Sequence, residues 1–328
     1  MRAAFYERTG AAREVLRVDD MPTPEPAAGE VRVRLASSGV NPSDVKSRAG
    51  LRSSVLPFPR IVPHSDGAGV IDKVGDGVPT TRLGGRVWTW NAAWKRAFGT
   101  AAQFVVLPAE QAVPLPEGVS FEVGACLGIP ALTALHAVTM DGGVEGRSVL
   151  VTGGAGAVGH YAIQMARLCG AQRVIATVSN ADKATLARQA GADLVIDYRR
   201  EDVAARVLEA TRGEGVDRVI DVDFAANVTS SLGAVRQEGD IVVYGSGKPE
   251  ITVPFFPAIV KNVRVRFFIV YNLTPKDRAA AVARLTSWLE ADRLQHNIAA
   301  RLPLDAVAEA HELVESGRTV GNVVLGIR

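Results

Sequence analysis

The fold of this chain is decided by the stretch Ser148-Val149-Leu150-Val151-Thr152-Gly153-Gly154-Ala155-Gly156-Ala157-Val158-Gly159. An apolar strand leads into a turn in which three glycines match the pattern G-x-G-x-x-G, and a helical segment follows. The first glycine permits a tight turn, the second lets the backbone approach a pyrophosphate, and the third lets helix and strand pack closely. Amide groups at the start of the helix then stabilise the phosphate charge. The pattern predicts a dinucleotide site made of Gly154, Ala155, Gly156, Ala157, Val158 and Gly159.

Strands and helices alternate around this turn, from about residue 122 to residue 265. The predicted strands are short and apolar: Ser148–Thr152, Arg173–Val178, Leu194–Asp197, Val216–Val222, Asp240–Tyr244 and Val263–Val270. Helical stretches lie between them, at Gly159–Leu168, Ala181–Ala190 and Glu201–Ala210. Such alternation is typical of a parallel sheet with helices on both faces. We therefore expect an α/β domain with six parallel strands.

The end of the second predicted strand bears on which dinucleotide is bound. Proteins specific for NAD carry Asp or Glu there, which binds the ribose hydroxyls. Here Ser179 takes that position, and Lys183 follows four residues later. A small hydroxyl and a cation suit a 2′-phosphate, whereas Asp182 and a solvated Lys183 would argue against one. These residues favour NADPH over NADH as the cofactor.

The first 121 residues have a different pattern. The segment Val31-Arg32-Val33-Arg34-Leu35 alternates apolar and charged residues with period two, which indicates a half-buried strand. Further short strands are expected at Gly69–Val74, Arg86–Trp90 and Ala102–Leu107, with glycine and proline turns between them. Many short strands with such turns predict a twisted, barrel-like β domain.

The last segment, residues 266–328, combines helices with one strand. Thr274-Pro275-Lys276-Asp277 resembles a capping box that would start a helix. A second helix is expected from about Leu304 to Gly317, and a last strand over Asn322–Ile327. By its pattern alone, this segment could complete either the first or the second domain.

The composition excludes several classes of function. The chain has 328 residues, 47% of them hydrophobic and 22% charged, which is enough apolar surface for two globular domains. Its net charge of +2 gives no reason to expect nucleic acid or a membrane surface as a partner. With no long apolar run and no signal-peptide pattern in Met1–Glu7, we expect a cytoplasmic protein. Cys126 and Cys169 are too few for a four-thiolate zinc site, and we interpret both as buried apolar side chains.

Ordered motifs occur along the whole chain besides the glycine turn. They are Gly39-Val40-Asn41-Pro42, Pro63-His64-Ser65-Asp66-Gly67-Ala68-Gly69-Val70-Ile71, Gly128-Ile129-Pro130, Val243-Tyr244-Gly245-Ser246 and Ala308-Glu309-Ala310-His311. Together they resemble the quinone oxidoreductase/ζ-crystallin branch of the medium-chain dehydrogenase/reductase superfamily. The resemblance implies a GroES-like β-barrel domain from residues 1–121 and 266–328, and a central Rossmann domain at 122–265. It also implies a homodimer that forms through the last Rossmann strand, around Val263–Val270.

The resemblance further implies a site without metal. Alcohol dehydrogenases of this superfamily bind catalytic zinc through Cys, His and Cys side chains, and the corresponding positions here carry Ser43, Ser65 and Ile129. His64 lies one residue from a ligand position, and one imidazole cannot hold zinc alone. We interpret His64 as lining the substrate pocket or as a hydrogen-bonded histidine.

Without a Lewis acid, hydride transfer requires a substrate that accepts hydride readily. We therefore expect an NADPH-dependent, zinc-independent reductase of quinones. Reduction of α,β-unsaturated carbonyls (alkenals or enones) is the first alternative. A non-catalytic protein that resembles ζ-crystallin and binds NADPH or RNA is the second.

The resemblance assigns residues to the site. Asn41 would face the nicotinamide, and Lys46 stands where the family often has Tyr. Lys46 could stabilise an oxyanion or donate a proton; the alternative is a surface lysine that contacts phosphate or solvent. Further cofactor contacts are implied at Thr133, Tyr198, Asn227, Tyr244, Gly245, Ser246, Phe268 and Ile269.

Aromatic side chains cluster at Trp88, Trp90, Trp94 and Phe98. Trp90 begins a loop that the resemblance places near the mouth of the cleft, where it would form one wall of a pocket for a flat substrate. The alternative is that these rings pack inside the barrel.

Overall fold

The computed structural model describes residues 1–327, which form two compact units. One unit combines Met1–Pro130 with the chain from Val282 onward, and the other is Ala131–Ala281. Each unit has its own apolar core. Within residues 1–327, no helix is long and apolar enough to span a membrane. The tail of the chain therefore belongs to the same unit as its beginning.

The strands of residues 1–327 are, in chain order, β1 (Arg2–Phe5), β2 (Arg17–Asp20), β3 (Glu30–Val40), β4 (Asp66–Val74), β5 (Arg86–Thr89), β6 (Phe104–Pro108), β7 (Ala112–Pro114), β8 (Ser148–Val151), β9 (Arg173–Val178), β10 (Leu194–Asp197), β11 (Val216–Asp221), β12 (Val235–Val243), β13 (Arg264–Phe267), β14 (Ile298–Pro303) and β15 (Asn322–Gly326). The α-helices are α1 (Ala12–Val15), α2 (Pro42–Arg48), α3 (Phe121–Gly124), α4 (Leu132–Thr139), α5 (Ala157–Leu168), α6 (Ala181–Gln189), α7 (Val203–Ala210), α8 (Phe224–Ala234), α9 (Phe255–Val260), α10 (Pro275–Glu290) and α11 (Val307–Glu315). A π-helical turn over Leu127–Ala131 precedes α4.

The unit of Ala131–Ala281 is built on a parallel sheet. In the described chain its strand order is β10-β9-β8-β11-β12-β13, and each neighbouring pair is parallel. This confirms the predicted α/β domain with six parallel strands. The strand order reverses direction after β8, so the carboxyl end of β8 lies at a switch point, where open α/β sheets bind ligands.

Two strands of this sheet differ in length from the prediction. β12 begins at Val235 rather than Asp240, because it pairs with β11 across a register shift between Val216 and Arg218. β13 ends at Phe267, since the chain turns into a 3₁₀ segment at Val270–Asn272. Neither difference moves the carboxyl ends of β8 and β9, which the sequence predicted correctly within one residue.

A buried arginine holds α4 against the parallel sheet. Arg218 of β11 is fully buried and donates hydrogen bonds to the carbonyls of Ala137, Val138 and Met140 at the end of α4. It also donates to Asp240 Oδ2 at 3.2 Å. These charge-assisted bonds satisfy helix-terminal carbonyls that would otherwise lack a partner. They place α4, which carries Thr133, in one position on the sheet.

The other unit contains a mostly antiparallel sheet ordered β14-β15-β3-β4-β5-β7, with β6 also paired to β3. This confirms the predicted β domain of the first segment. β15 pairs with β3 in antiparallel register, with Val323 opposite Val40. The chain tail thus lies beside the residues that lead into α2.

The start of α10 and the two cysteines were also predicted from the sequence. Of the capping box predicted before α10, the cap itself is observed: Asp277 N donates to Thr274 Oγ1 at 3.1 Å, and that hydroxyl donates to Asp277 Oδ2 at 2.8 Å. Cys126 is buried as predicted, and burial raises the pKa of its thiol. Cys169 is only half-buried, because it follows the last residue of α5.

Candidate cofactor and active site

The glycine turn between β8 and α5 has the geometry that its sequence predicts. A Cβ atom on Gly154 would lie 2.7 Å from Ala176 Cβ, and one on Gly159 would lie 2.2 Å from the Gly153 carbonyl oxygen. Both glycines are therefore needed for packing. A Cβ on Gly156 would meet its nearest neighbour, Gly153 O, only at 3.2 Å. The middle glycine is the least constrained by the protein itself, as expected of a position that a ligand approaches.

The first turn of α5 has backbone donors without an intrahelical acceptor. Gly156 is the N-cap residue and offers them no side-chain acceptor, and the first turn has no acidic residue. The amides of Ala157, Val158 and Gly159 precede the first intrahelical bond, which His160 N donates to Gly156 O. These amides and the helix dipole make this end suited to a phosphate.

Three of the predicted residues follow the carboxyl ends of β9 and β10, two neighbouring strands. Ser179 follows β9 and is buried, and Lys183 is half-buried in the first turn of α6, where its amide donates to the cap residue Asn180. Tyr198 follows β10, and its amide donates to Val178 O at 3.1 Å, which places it beside Ser179. The exposed Arg199 comes next and adds a second cation to this edge, a residue that the sequence analysis missed. Its position just after β10, the strand next to β9, could have identified it from the sequence.

The ends of β11 and β12 are organised by one buried carboxylate. Asp221 accepts hydrogen bonds from Ser231 Oγ at 2.6 Å and from Asn227 Nδ2 at 2.9 Å. These bonds fix the side chain of Asn227, a predicted cofactor residue. A cavity of about 310 Å³ opens beside this network and is lined in part by Thr152, Thr177, Tyr198, Asn227 and Ser231.

The segment after β12 contains three predicted residues. A Cβ on Gly245 would lie 2.2 Å from Val222 O, so only glycine fits at this position. Ser246 Oγ donates to Lys248 O at 2.6 Å. The hydroxyl of Tyr244 is buried without a partner in the described chain, and burial near Asp221 raises its pKa far above the ordinary value.

The remaining predicted cofactor residues lie on α4 and after β13. Thr133 is buried in the first turn of α4. Phe268 packs edge-on against His136 of the same helix, with ring centroids 4.9 Å apart. Ile269 follows Phe268 and is half-buried. The helix and the segment after β13 are therefore neighbours.

In the other unit, Asn41 and Lys46 belong to one short helix. Asn41 is the N-cap of α2; its backbone carbonyl accepts from Asp44 N at 3.0 Å, and its own amide donates to Asp44 Oδ2 at 2.8 Å. Burial raises the pKa of Asp44 to about 7. Lys46 is half-buried on the same helix. The catalytic assignments of Asn41 and Lys46 stay predictions.

His64 is a hydrogen-bonded histidine, one of the two interpretations of the sequence. It is fully buried, its Nδ1 lies 2.9 Å from Ser38 Oγ, and its Nε2 lies 2.9 Å from His311 Nε2. Burial and the neighbouring His311 keep its pKa well below the usual range. Its assignment to the substrate pocket stays a prediction.

The aromatic cluster separates into core and surface rings. Trp88 is fully buried inside the β sheet unit, which confirms the packing interpretation for this ring. Trp90 and Trp94 are half-buried and Phe98 is 45% exposed. Trp90 as a pocket wall stays a prediction.

In residues 1–327, no three His, Cys, Asp or Glu side chains are grouped so that they could hold a metal ion. At the predicted ligand positions, Ser65 is buried and Ile129 donates its amide to Asp66 Oδ2 at 2.9 Å.

Known families match both parts of the chain. The "Alcohol dehydrogenase GroES-like domain" family matches residues 27–117, and the "Zinc-binding dehydrogenase" family matches residues 157–287. A curated relative, the quinone oxidoreductase of Pseudomonas aeruginosa, is 33% identical over 319 residues, which cover 95% of each chain. The chain belongs to the quinone oxidoreductase branch of the medium-chain dehydrogenase/reductase superfamily. The positions that correspond to zinc ligands, Ser43, Ser65 and Ile129, lie outside the segment that matches the zinc-binding family.

Solved structures of this superfamily share the fold. The Escherichia coli quinone oxidoreductase complexed with NADPH has a TM-score of 0.89 and 29% identity, covering 99% of this chain and all of its own. An NAD-dependent alcohol dehydrogenase has a TM-score of 0.92 and 33% identity, covering both chains completely. Members of this superfamily with the same fold thus differ in the dinucleotide and substrate they are named for.

Proposed function

We propose that this oxidoreductase reduces quinones with NADPH and without a metal. The observation that carries the proposal is the carboxyl edge of the parallel sheet, where the uncapped start of α5 lies next to a strand that ends in Ser179 rather than a carboxylate. The cations of Lys183 and Arg199 at the same edge suit a 2′-phosphate. The named activity of the curated relatives supports the choice of quinones.

The residues present fit the cofactor. The amides of Ala157, Val158 and Gly159 would hold the pyrophosphate. Glycine at 154 and 159 allows the tight turn that brings these amides to the end of the sheet, since a Cβ at either position would clash. Ser179, Lys183 and Tyr198 would hold the 2′-phosphate end. The rest of the cofactor would contact Thr133, Asn227, Tyr244, Gly245, Ser246, Phe268 and Ile269. Bound NADPH supplies a hydride to the substrate.

The residues at the zinc-ligand positions do not suit the metal. Zinc binds thiolate, imidazole or carboxylate ligands, and neither a serine hydroxyl nor an isoleucine side chain is among them. Ser43, Ser65 and Ile129 therefore would not hold the ion, and the protein would have no Lewis acid to polarise an alcohol or a simple ketone. Substrates that are already electron-poor, such as quinones, remain suitable.

Negative charge that develops on the substrate oxygen must be stabilised and then protonated. We assign this role to Lys46, whose ammonium group can do both. Asn41 would contribute to binding, and His64 and Trp90 are the proposed lining of the substrate pocket.

Initial-rate measurements test the function. NADPH oxidation is followed with an ortho-quinone, a para-quinone and an alkenal, with and without a chelator such as EDTA. We expect turnover of the quinones that the chelator does not change. Faster turnover of the alkenal would assign the enzyme to enone reduction, and no turnover at all would favour a binding protein. NAD⁺-dependent oxidation of a simple alcohol would overturn the proposal.

Two lysine variants test the assigned residues. Lys183→Met should raise the Kd for NADPH about tenfold and leave that for NADH unchanged, because only the 2′-phosphate loses a partner. Lys46→Met should lower kcat and leave NADPH affinity unchanged. The controls are Lys276→Met and Lys73→Met, exposed lysines of the same two units. An unchanged kcat would remove Lys46 from the mechanism.

We also propose a homodimer through β13. β13 is the edge strand of the parallel sheet. It carries the exposed Phe267, and α9, which precedes it in the chain, carries four more exposed apolar side chains: Phe255, Phe256, Ile259 and Val260. An open strand edge beside such a patch invites pairing with a second copy, because both the backbone groups and the apolar area would be covered.

A further inference from the structure

Asp66, the first residue of β4, lies between Asn41 and the chain at Gly128 and Ile129. Its side chain is fully buried. Oδ2 accepts two hydrogen bonds, from Asn41 Nδ2 and from the Ile129 amide, each at 2.9 Å. A Cβ on Gly128 would lie 2.2 Å from the other carboxylate oxygen, so glycine is required there to admit the aspartate.

The amide of Asn41 is thereby held in a single orientation. A side-chain amide can ordinarily flip, which exchanges its donor and acceptor ends. Here Nδ2 donates to the Asp66 carboxylate at 2.9 Å, and the side chain also hydrogen-bonds the Asp44 carboxyl. A flip would point the amide oxygen, which can only accept, at the Asp66 carboxylate, which is also an acceptor. Oδ1 is thereby left as the acceptor end of the Asn41 side chain.

The backbone carbonyl of Asp66 is the last acceptor in a series of hydrogen bonds, and this fixes which group donates in each of them. Its carbonyl can only accept, so Thr100 Oγ1 donates to it at 2.6 Å. Ser38 Oγ must then donate to Thr100 Oγ1 at 2.8 Å and accept from His64 Nδ1. His64 Nε2 consequently accepts from His311 Nε2. The chain ends on a carbonyl and cannot pass protons onward, so its effect is to hold Asp66 in place.

We propose that Asp66 is the positioning residue of the site: it orients Asn41 so that Oδ1 accepts a hydrogen bond from a donor group of the cofactor, a ribose hydroxyl or a carboxamide N–H. The inference rests on the proposed function, and it makes Asn41 a binding residue that accepts, not an oxyanion donor. Loss of Asp66 should therefore weaken cofactor binding and leave kcat nearly unchanged.

A double-mutant cycle tests whether Asp66 acts through Asn41. Asn41→Ser keeps an N-cap oxygen for α2 but removes the amide. We expect Asp66→Ala to raise the Kd for NADPH about tenfold in the native chain and less than about twofold in the Asn41→Ser background. Asp72→Asn, on the same strand, is the matched control and should have no effect. Equal effects in both backgrounds, or a fall in kcat at constant Kd, would overturn the proposal.

Asp66→Asn gives a second, conservative test that keeps the volume and one acceptor oxygen. We expect it to restore native NADPH affinity and to retain the slowly exchanging Asn41 side-chain amide signal in NMR spectra. Loss of that signal in the folded variant would overturn the proposal. Because these readouts measure binding, a protein that binds NADPH but reduces no quinone would refute the proposed function alone. A chain that binds no dinucleotide would refute both.

Discussion

A single methyl group distinguishes two roles of glycine in the turn after β8. Gly159→Ala should lower the melting temperature, because its Cβ would lie 2.2 Å from a carbonyl oxygen. Gly156→Ala should leave the melting temperature nearly unchanged and raise the Kd for NADPH at least about tenfold, since the added methyl stands where the pyrophosphate approaches. Thermal unfolding and fluorescence titration measure both. Gly118→Ala, with open space around it, is the control.

His311 makes stability depend on pH. Burial and the charge of Arg48 lower its pKa to about 3, whereas the unfolded chain has a value near 6.5. Between these values the unfolded state binds more protons, so stability falls as the pH decreases. From pH 7.5 to pH 5 this residue should cost about 2 kcal/mol.

Urea unfolding of the native chain and of His311→Gln tests this dependence. Glutamine can still donate to His64 Nε2 but does not titrate. The native chain should lose more stability on acidification than the variant. Equal losses would show that His311 does not titrate differently in the folded state.

At the scale of elements, the bounds of some parallel strands were predicted correctly, and the start of β12 was not. β9 and β10 have the predicted bounds because each is an apolar run between turns. The early start of β12 depends on a register shift against β11, which is a property of two strands together. Local periodicity therefore predicts an element, and its partner sets its ends.

The apolar patch on α9 and the β13 edge give an element-scale prediction. Phe256→Glu combined with Ile259→Glu should convert the proposed dimer to a monomer, because two charges cannot be buried against a second copy without partners. Light scattering coupled to gel filtration measures the mass. Leu83→Glu, an exposed apolar position in the other unit, is the control. A native chain that is already monomeric would contradict the dimer proposal.

At the scale of the whole molecule, the chain tail completes the unit that holds Asn41. Leu325 of β15 is fully buried opposite Ser38 of β3. Leu325→Ala should destabilise this unit by about 2–5 kcal/mol and accelerate amide exchange in β3, almost three hundred residues away in sequence. Leu83→Ala is the exposed control. Unchanged exchange in β3 would show that the tail does not stabilise that strand.

The sequence by itself determined the parallel sheet, the glycine turn and the residues at its edge, because periodicity and glycine sterics act over a few neighbouring residues. It also pointed to Asn41 and Lys46, through family resemblance. Only the tertiary structure decided what surrounds them. Asp66 meets Asn41 and Ile129, and His64 meets His311 across 247 positions of the chain. Such pairs are set by strand register and by the return of the chain tail, which no local pattern contains.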